Sequence, residues 1–296
     1  MAAQHLTGHL KDLGGGFTVR RLLPAARCRS VGPFVFFDHF GPAVQRPEDN
    51  HDVRPHPHIG LATVTYLFEG AMVHRDSLGM VQQIEPGAIN WMTAGRGIVH
   101  SERRPDGWWN RTYTNHGLQL WAALPREAEE AAPAFVHTPA AAIPQATVGA
   151  ATVRVLIGAA FGRESPVAVF APTLYLDVKL PAGATLELPA ALAPERAVYA
   201  VDGALELVGD GLPVATHTMA VLGEGDTVVL RGGAEGCRLV VIGGAPLDGP
   251  RHMWWNFVSS RKERILQAAA DWEAGRFDAV PGETESIPLP EHRPVA

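Results

Sequence analysis

At 296 residues with 46% hydrophobic side chains, the chain is long enough for two domains of ordinary size and carries ample material for their cores. A net charge of −6 and scattered arginines give no basic footprint for direct nucleic-acid binding, and no apolar run approaches membrane-spanning length. The N-terminus has no basic start followed by an apolar stretch, so the expected compartment is the cytoplasm; Cys28 and Cys237 lack metal-ligand spacing and read as buried or idle thiols.

In chain order, turn residues punctuate short apolar runs almost throughout, with 31 glycines and 24 prolines, which is the pattern of an all-β protein. Strands are expected over Phe17–Leu22, Thr63–Phe68, Ala71–Arg75, Ile89–Met92 and His116–Ala123. The stretch from Arg126 to Val148 is rich in Ala and Pro with few large apolar residues and reads as a connector. Further strands are expected over Thr152–Ile157, Thr173–Val178, Ala197–Val201, Ala204–Val208, Thr227–Leu230 and Arg238–Ile242. From about Ser259 to Trp272 the pattern changes: serines suited to capping, good helix formers, and Ile265, Leu266, Ala269 and Trp272 at helical spacing predict a C-terminal helix.

Two short alternating motifs carry the chemistry. Successive side chains on a strand point to opposite faces, so His56 and His58 in His56-Pro57-His58 share a face, as do His100 and Glu102 in His100-Ser101-Glu102. Brought together inside a barrel, they present three imidazoles and a carboxylate to one point, a donor set suited to iron, manganese, nickel, copper or zinc. The motifs sit where strands meet turns, before the β-branched run Ile59–Phe68 and after Gly95-Arg96-Gly97. His39, His74 and His116, also in this half, read as structural or supporting residues, with Asp38 or His74 placed to orient a ligand. Trp91, Met92 and Trp121 read as barrel core. Trp108-Trp109 lies in a loop, as a lid or as a packing surface. A faint repeat, Tyr66–Ala71 echoed by Tyr199–Ala204, suggests two related halves. Carrying that register back sets Pro189 and Ala191 against His56 and His58, so only the first half would hold the metal.

The residues Val31–Phe40, His56-Pro57-His58, Thr63–Gly70, His74–Ser77, Trp91–Glu102 and His116–Trp121 resemble the pirin family, a two-barrel (bicupin) branch of the cupin superfamily; Trp254–Ser260 resembles its bacterial members. The resemblance implies two jelly-roll-like cupin barrels in tandem with a C-terminal helix: a metal-binding barrel over 1–130, a connector over 131–148, and a barrel without metal ligands over 149–296. It also implies one iron held by His56, His58, His100 and Glu102. Fe(II) is the expected ion, with Mn, Ni, Cu, Zn and Co also suited to the site. Some members are quercetin 2,3-dioxygenases that open a flavonol with O2 and release carbon monoxide, whereas a eukaryotic member is an iron-redox-sensitive transcriptional co-regulator. The implied activity is thus a flavonol dioxygenase with Glu102 as the catalytic base, its partners a small aromatic substrate and O2. The alternatives are a redox-sensing or regulatory metal protein without turnover, and a metalloenzyme of the same fold with other chemistry; no docking segment for a protein partner is readable. One departure stands out. Where many relatives have Arg-Gly-(aromatic or Met)-Glu after His-x-His, this chain has Ile59-Gly60-Leu61-Ala62, which is expected to make the mouth of the site less polar.

Overall fold

The computed structural model describes residues 3–13, 16–209 and 211–292, and shows strands joined by turns with a single α-helix, Lys262–Glu273, among them. The chain divides into two compact units: Met1–His9, Arg21–Phe37 and Ala141–Pro246 in one, and Leu10–Arg20, Asp38–Ala140 and Leu247–Ala296 in the other.

The unit that carries the histidine motifs contributes most of a seven-stranded sheet. Its spatial order is Ala134–Thr138, Ile89–Thr93, Leu61–Glu69, Tyr113–Ala123, Phe34–Gln45, Thr18–Leu23 and His9–Asp12. A four-stranded sheet of the same unit runs Val53–His58, Ile98–Arg103, Met72–Asp76 and Val81–Ile84. Val19, Phe40 and Leu67 from the first sheet and Met72 and Ile84 from the second meet in one apolar cluster. Burying each such side chain contributes about 1.5–3 kcal/mol, which is what holds two sheets face to face.

The other unit repeats the plan. Its seven strands lie in the order Gln4–Leu6, Met219–Val221, Glu195–Asp202, Cys237–Gly244, Thr173–Leu180, Ala151–Ile157 and Gln145–Val148. Its four-stranded sheet runs Thr185–Leu188, Val228–Gly232, Leu205–Val208 and Leu212–Val214. The buried residues between its sheets form an aliphatic cluster that includes Val155, Leu176, Leu186, Leu188, Leu205, Leu207, Leu230 and Val241. The architecture is therefore all-β with two cupin barrels.

The expected strands are present, most of them longer by a residue or two at an end, and the structure adds others. Phe34–Gln45 is a twelve-residue strand whose first seven residues are all buried. A run buried on both faces has no apolar–polar alternation to read, and Gly41-Pro42 within it looks like a stop. The 131–148 stretch is not free connector: Ala134–Thr138 pairs with Ile89–Thr93, and Gln145–Val148 pairs with Ala151–Arg154. Both are edge strands, which need backbone pairing more than large side chains.

The C-terminal segment falls in the unit of the histidine motifs rather than with the second barrel. Buried Glu129 accepts the Ser259 hydroxyl at 3.0 Å, the Ser260 N–H at 2.8 Å and the Ser260 hydroxyl at 3.0 Å, with the Arg251 guanidinium 2.9 Å away. The serines expected as helix caps are thus taken by Glu129, and the cap position is Arg261, without a side-chain cap. At Gly60, where φ is +69°, a Cβ would stand 1.9 Å from the Val258 carbonyl oxygen, so only glycine lets the two segments approach this closely.

Candidate metal centre

The ligand motifs lie on adjacent antiparallel strands. His100 pairs directly with His56 and Ile98 with His58, and the register then shifts so that Glu102 faces Val53. On the other side of the same strand His100 pairs with Asp76 and Glu102 with His74. Alternation therefore places His56, His58, His100, Glu102, His74 and Asp76 on one face of three neighbouring strands.

The three predicted imidazoles converge. His56, His58 and His100 are buried, with ring centroids 4.4 to 5.1 Å apart, and one ring nitrogen from each lies within 4.8 Å of the others. Their Nδ1 atoms are already engaged. His56 Nδ1 donates to the Arg54 carbonyl at 2.8 Å and His58 Nδ1 to the Asn256 carbonyl at 3.1 Å. His100 Nδ1 sits 3.3 Å from His74 Nδ1. A carbonyl only accepts, so His56 and His58 carry their proton on Nδ1 and present a bare Nε2 lone pair. His100 Nε2 is buried without a hydrogen-bond partner among the described residues. An orphaned acceptor in a buried cluster of imidazoles fits a metal ion, which takes the lone pairs that nothing else satisfies.

Electrostatics agree with this. Burial holds the trio neutral: desolvation, opposed in part by the hydrogen bond to the Arg54 carbonyl and reinforced by His74, lowers the pKa of His56 to about 4. Desolvation, then the neighbouring imidazoles, puts His58 and His100 well below the usual histidine range. Protons therefore compete weakly for these nitrogens near neutral pH. Glu102, half-buried on the same face, is the fourth predicted ligand, and desolvation pushes its carboxyl up to about 7. Its carboxylate is not part of the tight histidine group.

The remaining predicted residues fall into place around this trio. His39 and His116 face each other through Nε2 at 2.8 Å. Trp91 is buried and donates to Thr93 Oγ1 at 3.1 Å, and Met92 is buried beside it. Trp121 is more than core: its ring meets His58 edge-on at 5.1 Å and walls the site. Trp108 and Trp109 lie under Arg111 and Arg104, whose guanidinium carbons stand 3.3 and 4.8 Å from the ring centroids. Of the Ile59-Gly60-Leu61-Ala62 departure, Ile59 is turned by alternation away from the histidines and packs with Phe257, Ile265, Ala268 and Ala269. A cavity of about 500 Å³ also lies off the ligand face, lined by Pro55 and Val99 with Trp272, Phe277 and Leu289. His74, expected as a residue that orients a ligand, stands beside His100, and the unpredicted contributors are the Asn256 carbonyl, 198 residues from its histidine, and Asp76, whose i, i+2 spacing from His74 repeats that of the ligand motifs.

Two cupin barrels, one holding a buried cluster of three imidazoles, define a bicupin with a candidate metal centre. The pirin family model matches residues 16–122, and the model for the pirin C-terminal cupin domain matches residues 175–278. The chain belongs to the pirin family: a pirin-like protein of Caulobacter vibrioides is 48% identical, covering 95% of this chain and 96% of that one. Human pirin is 35% identical over 88% of this chain and 87% of its own. The crystal structure of quercetin 2,3-dioxygenase from Acinetobacter baumannii superimposes with a TM-score of 0.88 at 33% identity, covering 99% of this chain and 97% of that one. No helix among the described residues is long and apolar enough to cross a membrane.

Proposed function

We propose that the chain is a mononuclear iron dioxygenase that opens a flavonol such as quercetin with O2. The observation that carries this reading is the convergence of His56, His58 and His100 with His100 Nε2 unsatisfied, in a chain similar along its whole length to a quercetin 2,3-dioxygenase. His56, His58, His100 and Glu102 would hold the iron; Mn, Ni, Cu, Zn and Co suit the same donors. When bound, iron supplies Lewis acidity and the one-electron steps that O2 chemistry requires. Four protein donors leave room for substrate and O2. Glu102 takes the proton of the flavonol hydroxyl. A carboxylate beside the reacting centre is the general base within reach in this donor set. Trp121 and the buried strands around His58 keep water from the reacting ring.

Oxygen uptake by anaerobically purified, Fe(II)-loaded protein given quercetin tests the reading, with His56→Ala/His58→Ala as the control. Uptake with carbon monoxide release that vanishes in the control is the expected result. One tightly bound iron without uptake would overturn the enzymatic reading in favour of a redox-sensing or regulatory metal protein.

A further inference from the structure

A buried chain of groups runs behind His100. Asp76 is fully buried at the end of the strand Met72–Asp76, and its Oδ1 accepts the backbone N–H of Leu78 at 2.9 Å and of Met80 at 3.1 Å. Its Oδ2 stands 2.9 Å from His74 Nε2. The other nitrogen of His74, Nδ1, faces His100 Nδ1 at 3.3 Å, and the His74 ring is stacked on Phe135 at 4.2 Å.

We propose that Asp76 and His74 are positioning residues that fix which nitrogen of His100 faces the metal; the proposal rests on the metal-site reading above. The carboxylate only accepts, so His74 carries its proton on Nε2 and its Nδ1 is an acceptor. That acceptor draws the proton of His100 onto Nδ1 and leaves the Nε2 lone pair free. His56 and His58 reach the same state through backbone carbonyls, Arg54 and Asn256. His100 has no carbonyl there and uses an imidazole and a carboxylate in its place. Because the anchor of the relay is a side chain rather than backbone, a substitution can reverse it.

Asp76→Asn is that reversal. The two N–H groups of Leu78 and Met80 hold the amide oxygen at the Oδ1 position, so the NH2 group faces His74 Nε2 and donates to it. His74 must then carry its proton on Nδ1, aimed at His100, and the His100 proton moves to Nε2, where the metal would bind. His74→Phe, which keeps the stack on Phe135, removes the relay without reversing it.

The test is ¹⁵N NMR of histidine-labelled, metal-free protein, followed by calorimetric titration with Zn(II) as a redox-inert probe. In the wild type His100 is expected as the Nδ1–H tautomer, and in Asp76→Asn as the Nε2–H tautomer with Zn(II) affinity 10–100-fold weaker. His74→Phe is expected to show a mixture of His100 tautomers and an affinity about tenfold weaker. A role confined to packing would leave the tautomer unchanged in both variants. An Nε2–H signal for His100 in the wild type, or Zn(II) affinities within twofold of wild type in both variants, overturns the proposal. A wild type that takes up no Zn(II) sinks the metal-site reading instead, while the His100 tautomer is still read in the metal-free protein.

Discussion

The two four-stranded sheets answer each other strand for strand. In one, Val53–His58, Ile98–Arg103 and Met72–Asp76 present His56 and His58, His100 and Glu102, and His74 and Asp76. In the other, Thr185–Leu188, Val228–Gly232 and Leu205–Val208 stand in the same order, with Leu186 opposite Leu230, Leu188 opposite Val228, Leu207 opposite Leu230 and Leu205 opposite Gly232. Position by position, Leu186 and Leu188 take the places of His56 and His58, Leu230 that of His100, and Leu205 and Leu207 those of His74 and Asp76. The backbone frame is indifferent to the choice. Filled with leucine it is ordinary core; filled with imidazole and carboxylate it is a site whose lone pairs need a cation.

Exchanging residues between these frames breaks the comparison where it is sharpest. Leu230→His places an imidazole in an aliphatic core without the backbone carbonyls that satisfy His56 and His58, and is expected to cost about 4 kcal/mol from lost packing and an unpartnered polar group. Urea denaturation measures it, and a loss under 1 kcal/mol would mean that the second frame tolerates polarity as the first does.

The next effect is one of pH. The folded-state pKa of His56 lies near 4, below its ordinary value near 6.5, so between these the unfolded chain binds the proton more tightly. This histidine's contribution is fully present above pH 6.5 and is lost as pH falls towards 4. It amounts to roughly 3 kcal/mol at 1.36 kcal/mol per pKa unit. His58 and His100 act in the same direction. Denaturation of metal-free protein between pH 7 and 4 should show this decline, and a triple His56→Leu, His58→Leu, His100→Leu variant should show a flatter one; parallel curves would contradict the desolvated trio.

Glu102→Gln removes the proton acceptor but keeps an oxygen donor. Flavonol turnover is expected to fall about 100-fold with metal affinity within about tenfold. Unchanged oxygen uptake would remove Glu102 from the chemistry. The smallest effect belongs to the C-terminal segment: Ser260→Ala deletes one hydroxyl bond to buried Glu129 and should cost about 1 kcal/mol in thermal denaturation.

Much of this was legible in the sequence, because period-two spacing is the language of strands. His56-Pro57-His58 and His100-Ser101-Glu102 announced their shared faces, and the three histidines do meet. His74-Arg75-Asp76 has the same spacing, yet its meaning depends on lying beside His100 in the sheet, which only register reveals. The repeat pointed to Pro189 and Ala191 as counterparts of His56 and His58, whereas the frames align Leu186 and Leu188. The cause is turn length. His58 leads into the strand at Leu61 through Ile59 and Gly60 alone, whereas Leu188 reaches Glu195 through a longer link with a 3₁₀ turn at Ala190–Leu192. Ile59 shows the same limit from the other side: its neighbours in sequence are ligands, but its neighbours in space are Phe257 and the helix.

The central claim is that His56, His58 and His100 form a metal site where the second barrel has leucines. Titrating metal-free wild type and the triple histidine-to-leucine variant with Fe(II) under anaerobic conditions, with bound metal counted by mass spectrometry, tests it most directly. The account predicts one ion per chain in the wild type and none in a variant that remains folded; equal metal content in the two would contradict it.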